Sequence, residues 1–422
     1  MLTRIAEARH ASQGVVPRAK KVAPNFVDQA AFAISNVVLA ASFVRFGSSS
    51  DLAEFALFYT AWAWFLVVFR TVIGERLLVR LGEVGVESSG EERALVSTAI
   101  GAVMLVGSAV AVVGLAISFA TGLGPTLGLV FFGTLPALLL QDLFRYWQIG
   151  AGKASRAMGA DLSWLALQLA FVALIETGVV EATGALVWAS WALTGAASLA
   201  LFPIWSVGLW TDAAKAGMTL RWFADEGRRS RDMLIEAVFG RGALLVGQLL
   251  VGVVVSPALL IPIRLARSVM GPLQSLSAVA TTASLPGMAR LAATDEGSVI
   301  KRGSLVGAGV GLVGLAYGAV VSVALGVIDL GEFSSNDSRI AILCLGGLAL
   351  LQGGSLAGRL VLKALSQSAR LAMIRITTGP LAILCTVLFA YLFGWPGLIL
   401  ASAVVAAATV MLMARTLRWS PA

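Results

Sequence analysis

Arg241, Arg264 and Arg267 lie inside stretches that otherwise read as lipid-soluble helix, and Arg45 and Arg70 lie near the ends of two more. A cation in the hydrocarbon region is costly, so it turns toward a water-filled or protein-lined interior and marks a substrate path. The guanidinium is a planar fork of donors that matches phosphate oxygens in pairs. In a chain with little other polar chemistry, these residues point to an anion as the thing handled.

Depth separates the five. Arg241 is nine residues beyond Asp232, roughly 13 Å into its helix at ~1.5 Å per residue. Arg267 is ten residues beyond Pro257, roughly 15 Å in and near the midplane. Arg264 is one turn earlier on the same face, and Gly271 and Gln274 extend that face into a polar stripe. Arg241 and Arg267 are too deep to snorkel, which favours substrate contact over a structural bond to carbonyls or a neighbouring acid. Arg70 sits near a segment end, where snorkelling competes evenly with a place on an amphipathic cavity wall shared with Tyr59, Trp62 and Leu66. Trp62 and Trp64 read as an interfacial aromatic belt, and Arg45 as an anchor. Asp28, Gln29 and Asn36 form a second polar stripe, suited to solute or ion contact or to helix–helix hydrogen bonds. Glu236 could compensate Arg241 or hold a coupling cation.

Other chemistries are missing. Gly150-Ala-Gly-Lys153-Ala-Ser155 lacks the glycine spacing and the Ser/Thr of a phosphate-binding loop. The single histidine, His10, is in the N-terminal tail, and Cys344 and Cys385 read as small buried hydrophobes, with no metal spacing and no cofactor implied. Acids in the apolar stretches look too scattered for a paired-carboxylate site. The chain therefore reads as a binder or mover rather than an enzyme. Its net charge of +8 is spread over alternate loops, which argues against a nucleic-acid partner.

These residues need elements to hold them. Of 422 residues, 58% are hydrophobic and 13% charged, and the mean hydropathy is +0.88. Apolar runs of about 20 residues, without period-two alternation, predict an all-α polytopic membrane protein. Twelve segments are expected, near 25–46, 52–74, 95–119, 126–147, 160–176, 182–207, 232–255, 257–284, 304–327, 339–363, 369–393 and 396–416. Most Lys and Arg fall in the tail, in alternate loops and at the C-terminus, which puts both termini on the cytoplasmic side. The expected organisation is a basic cytoplasmic tail (1–24), a first lobe of six helices (25–207), a cytoplasmic linker (208–231), a second lobe of six (232–417) and a cytoplasmic C-terminus (418–422). Residues 145–156 and 359–370 align without gaps, matching Arg145 to Arg359, and Asp28 and Glu236 open the two lobes. Six helices per lobe make this a parallel repeat, with its pseudo-two-fold axis along the membrane normal. Gly307/Gly311 and Gly314/Gly318 read as close helix packing, with a dimer face as the lesser reading.

With this topology, Ile263-Arg-Leu-Ala-Arg-Ser-Val-Met-Gly-Pro-Leu273, Leu285-Pro-Gly-Met-Ala-Arg-Leu291, Gln141-Asp-Leu-Phe-Arg-Tyr146 and Gly159-Ala-Asp-Leu162 carry a resemblance. The chain resembles the MOP exporter superfamily, a MATE/MOP-like fold, and within it the Wzx-like polysaccharide flippases. The resemblance implies a V-shaped molecule of two six-helix lobes opening alternately to either side of a bacterial cytoplasmic membrane. Its expected cargo is a polyprenyl-diphosphate-linked glycan. A cationic cavity would hold the diphosphate while the lipid stays in the bilayer, with Arg241, Arg264 and Arg267 in that role and Arg70 and Gln274 beside them. Polysaccharide polymerase and assembly proteins are the expected partners. A MATE-like drug or metabolite antiporter is an alternative, although it would want acids in the cavity. A non-transporting scaffold of envelope assembly is another. A major-facilitator transporter shares the helix number, but its Gly-Asp-Arg pattern is missing from 81–94.

Overall fold

In lipid the backbone must satisfy its own hydrogen bonds, and helices do so within one segment. The computed structural model is correspondingly 92% helical, with no strand among the described residues. It describes residues 24, 27–74, 76–77, 80–81, 89–122, 124–202, 207–218, 220–224, 227–292, 295–365 and 367–418, leaving aside the side chains of 89, 207, 227–230, 241, 282–283, 285–287, 289–290, 368 and 418. The predicted tail (except residue 24) and the last four residues lie outside the described residues.

The first half comprises α1 (Val27–Phe46), α2 (Ser49–Phe69, continued by a π-turn Arg70–Gly74), α3 (Ser89–Thr121), α4 (Pro125–Gly150), α5 (Ala154–Glu176) and α6 (Gly184–Ser198). The connection contains α7 (Val207–Met218) and the short α8 (Arg221–Ala224). The second half has α9 (Gly227–Ala237), a π-turn Val238–Gly242, α10 (Ala243–Val254), α11 (Ile261–Val269) and α12 (Gly271–Ala292). It continues with α13 (Glu296–Val327), α14 (Asn336–Ala364), α15 (Ser368–Phe393) and α16 (Trp395–Arg418). The packing repeats: α3 on α4, α4 on α6 and α5 on α6 recur as α13 on α14, α14 on α16 and α15 on α16.

Ten of these helices are long and apolar enough to cross a membrane, and an eleventh if α9 and α10 are one bent span. The twelve expected segments are thus not twelve regular helices. The seventh turns by 49° where Gly240 leaves helical geometry (φ −85°, ψ −109°). The eighth splits at Met270. Pro272 has no N–H to give to the helix and disfavours helical backbone at Gly271 before it. The Leu273 N–H goes to the Met270 carbonyl, at 3.1 Å, and the Val269 carbonyl it would otherwise meet accepts from the Tyr317 hydroxyl of α13, at 2.9 Å. The connection 208–231 is more than a polar linker, because α7 lies along α3 with Gly101 against the Ala213 carbonyl and Gly217.

The halves are packed with different material. The first has an aromatic core in which Trp62, Trp164, Trp188 and Trp191 are fully buried, with Trp188 and Trp191 centroids 5.3 Å apart. Trp62 is therefore a core residue, not part of an interfacial belt. The second half is joined by glycine. Gly307 faces the Gly353 carbonyl, and Gly318 faces Gly346, so α13 and α14 approach backbone to backbone. Those glycines are used within the chain, as close packing predicts.

Candidate functional site: two arginine pairs and the seam between the halves

Arg264 and Arg267 share one face of α11 and meet the first half across the seam. They line an enclosed cavity of about 10 Å³ with Gln248 of α10 and Thr60 of α2, closed by Leu245, Leu260 and Ile263. That is room for about one water molecule. The Arg267 Nη1 donates to Gln248 Oε1 at 2.8 Å. The Arg264 guanidinium lies over the Tyr59 ring, its Cζ 3.3 Å from the centroid, and its Nη2 donates to Ser268 Oγ at 3.3 Å. Tyr59 in turn donates its hydroxyl to the Asn36 Oδ1. Among the described residues, no carboxylate forms an ion pair with either arginine. The buried Arg264 Nε and Gln248 Nε2 make no hydrogen bond. The void is thus lined by two cations and by donors that make no hydrogen bond, with an amide and a hydroxyl beside them.

Gln274 does not join this group. The break at Met270 shifts the phase of the helix, leaving Gln274 exposed, and Ser275 becomes the buried residue, donating to the Gln29 carbonyl at 3.2 Å. The Arg241 side chain lies outside the described residues; its backbone is in the π-turn Val238–Gly242.

Arg70 points inward, neither snorkelling nor lining an open wall. Its Nε and Nη2 clasp Asp142, at 2.9 and 2.6 Å. Asp142 also accepts from Arg145 Nη1 at 3.1 Å, and Arg145 Nη2 bonds Asp28 at 2.6 Å. The Arg145 Nε is 3.0 Å from Asp161 Oδ2, close in charge although not aligned as a hydrogen bond. Gln141 donates to the other Asp161 oxygen at 2.7 Å. Both guanidiniums also lie against the Phe32 ring, 5.1 and 5.0 Å from its centre. Arg145 is 1% exposed and Asp28 0%. Acids in the apolar stretches are thus not scattered: α1, α4 and α5 bring three together around one arginine. The i, i+3 spacing of Asp142 and Arg145 was the available signal, but Arg145 falls in the last turn of the expected fourth segment (126–147), where a cation reads as part of the basic connection that follows.

Asp28 is consumed by Arg145, and Asn36 by Tyr59 and the Phe32 carbonyl. Glu236 pairs with Lys363, at 3.0 Å. Arg45 meets Glu176 at 3.4 Å on the surface. A larger hollow of about 720 Å³ between α3 and α7 has no charged lining residue, so its size does not make it an anion site. Among the described residues no group of three or more His, Cys, Asp or Glu could hold a metal ion.

No protein-family model matches the chain, and no curated protein matches it. Solved structures do. The lipid II flippase MurJ in an inward closed conformation superposes with a TM-score of 0.69 at 11% identity, over 95% of this chain and 88% of that one. The eukaryotic MATE transporter AtDTX14 gives 0.62 at 13% identity, over 95% and 97%. A MOP-superfamily transporter from Pyrococcus furiosus gives 0.61 at 12% identity, over 94% of each chain. Over 94–95% of its length, the chain has the fold of the MOP-superfamily transporters.

Proposed function

We propose that this protein is a flippase that moves an anionic, polyprenyl-diphosphate-linked sugar across a bacterial cytoplasmic membrane by alternating access, with both termini cytoplasmic. The observation that carries the reading is the Arg264–Arg267 pair: one buried and one half-buried cation at the seam of the halves, with spare donors and no carboxylate paired to them among the described residues. A diphosphate supplies the missing charge, and its oxygens match the guanidinium forks. The likeness to a lipid II flippase supports a lipid-linked cargo. The arrangement is unfavourable for an organic cation, because the first-half acids are already bonded to Arg145 and Arg70.

The cavity of about 10 Å³ is far too small for a diphosphate, so the halves must part for cargo to enter. Parting removes Arg264 from the Tyr59 face and frees its edge for phosphate oxygens. The lobes are the helices before and after 208–231, and the lipid tail stays in the bilayer. Polysaccharide polymerase and assembly proteins would take up the product. The test is Arg264→Ala and Arg267→Ala in the native host. Lipid-linked sugar is expected to accumulate on the cytoplasmic face at normal protein abundance. Unchanged glycan export in both variants would remove these residues from the cargo site and favour a scaffold role.

A further inference from the structure

Gln248 is the one polar residue of α10, whose other positions from Ala243 to Val254 are Ala, Leu, Val or Gly. An amide alone in an apolar membrane helix is ordinarily used to bond a neighbouring helix. Only half of this one is used so. Arginine has donors and no acceptor, so the 2.8 Å contact from Arg267 Nη1 holds the amide oxygen toward Arg267 and turns the Nε2 the other way. Gln248 is 2% exposed and lines the seam void, and its Nε2 reaches no acceptor among the described residues. A buried amide nitrogen without an acceptor is unfavourable, and native interiors rarely keep one.

Backbone contacts hold this side chain in place. Gly247 lies against Thr386 of α15, where an added Cβ would be 2.7 Å from the threonine Cβ. Gly252 lies in the same way against Leu57 of α2 and Leu260. With both glycines in contact, α10 has little room to slide or roll. Across the void, Thr60 already gives its hydroxyl proton to the Ala56 carbonyl, at 2.7 Å, so it offers lone pairs and no donor. The unused donors all come from the second half: Gln248 Nε2 on α10 and Arg264 Nε on α11, beside the half-buried Arg267.

We propose, on the flippase reading above, that Gln248 is a binding residue of the cargo site, its amide oxygen positioning Arg267 while its Nε2 donates to a phosphoryl oxygen of the diphosphate. Because α10 and α11 belong to one half, the amide and both guanidiniums stay together when the halves part. The amide adds a directed neutral donor to two cations. It also sets the sign of the ligand: an N–H there receives an oxyanion, whereas an oxygen in its place repels one.

The test uses the full-length purified protein, with inorganic pyrophosphate and geranylgeranyl diphosphate as probes and binding titrated by native mass spectrometry and thermal shift. Gln248→Met keeps the length of the side chain and removes the amide. Losing a hydrogen bond to a charged group is expected to weaken both probes by about tenfold or more. A double-mutant cycle with Arg267→Met separates the two parts of the role. In the Arg267→Met background, Gln248→Met should still weaken binding severalfold. A loss that vanishes in that background means that Gln248 acts only through Arg267, and it overturns the assignment. Where Gln248→Met does not fold, Gln248→Glu keeps the shape and an oxygen on Arg267 but replaces the donor with a carboxylate oxygen. Undiminished binding in a folded Gln248→Met or Gln248→Glu overturns the proposal and leaves the arginines in place, provided that Arg264→Gln/Arg267→Gln loses it. Binding that survives the Arg264→Gln/Arg267→Gln double variant removes the cargo reading itself, and Gln248 with it.

Discussion

Arg145 and Arg264 show how the same residue type, buried in both places, is used in two ways. Arg145 is surrounded by Asp28, Asp142 and Asp161, and its removal leaves charges stranded in low dielectric. Arg145→Ala should therefore cost about 3–5 kcal/mol of stability, seen as a large fall in the thermal midpoint of the purified protein. Arg264 has an aromatic face and a serine rather than an acid. Its removal should cost little stability and instead weaken anion handling. Tyr59→Phe separates the two parts of that contact. It keeps the ring under Arg264 but takes the donor from the buried Asn36 Oδ1, which should cost about 1–3 kcal/mol in the same melt. The Arg264–Arg267 pair was legible because its partners are three residues apart on one helix. The Arg145 cluster was not, because its acids come from three helices and converge only in the fold.

At the scale of the element, small residues decide how closely helices approach. A Cβ added at Gly307 would lie on the Gly353 carbonyl and against Ala357, whereas one at Gly309 meets nothing within 4 Å. Gly307→Ala should push α13 off α14 and cost about 1–3 kcal/mol. Gly309→Ala should be neutral or stabilising by up to about 1 kcal/mol, the helix-propensity gain. Thermal unfolding of the two variants side by side gives the contrast. The glycine pairs were visible in the sequence, and so was Pro272. The consequence of that proline, a break at Met270 that leaves Gln274 exposed, was not, because a helical stripe assumes an unbroken helix.

For the whole molecule, the proposed transport cycle makes the seam between the halves the part that must move. It is held by Arg264 on Tyr59, by Leu57 against Gly252 and by Ser275 on the Gln29 carbonyl. On α12, the Cβ position of Gly271 lies 3.4 Å from the Cβ of Ala33 on α1. That spacing is close to the ~3.8 Å mean of a disulfide. Ala33→Cys with Gly271→Cys, in a background with Cys344 and Cys385 replaced by Ala, should cross-link the halves on oxidation. Glycan export should stop and should return with reductant. Full export in a fully cross-linked protein would mean that the halves do not part at this seam.

Composition and periodicity alone determined that this chain is a bundle of membrane-crossing helices in two repeated sets, because runs of apolar residues and a helical backbone are local consequences of sequence. Local spacing also determined that two arginines share a face of one helix. Only the tertiary structure decided which buried charges are spent and which are spare. Neutralisation depends on side chains from distant helices meeting within about 3 Å in a medium that does not screen them, and that distance is written in no single segment.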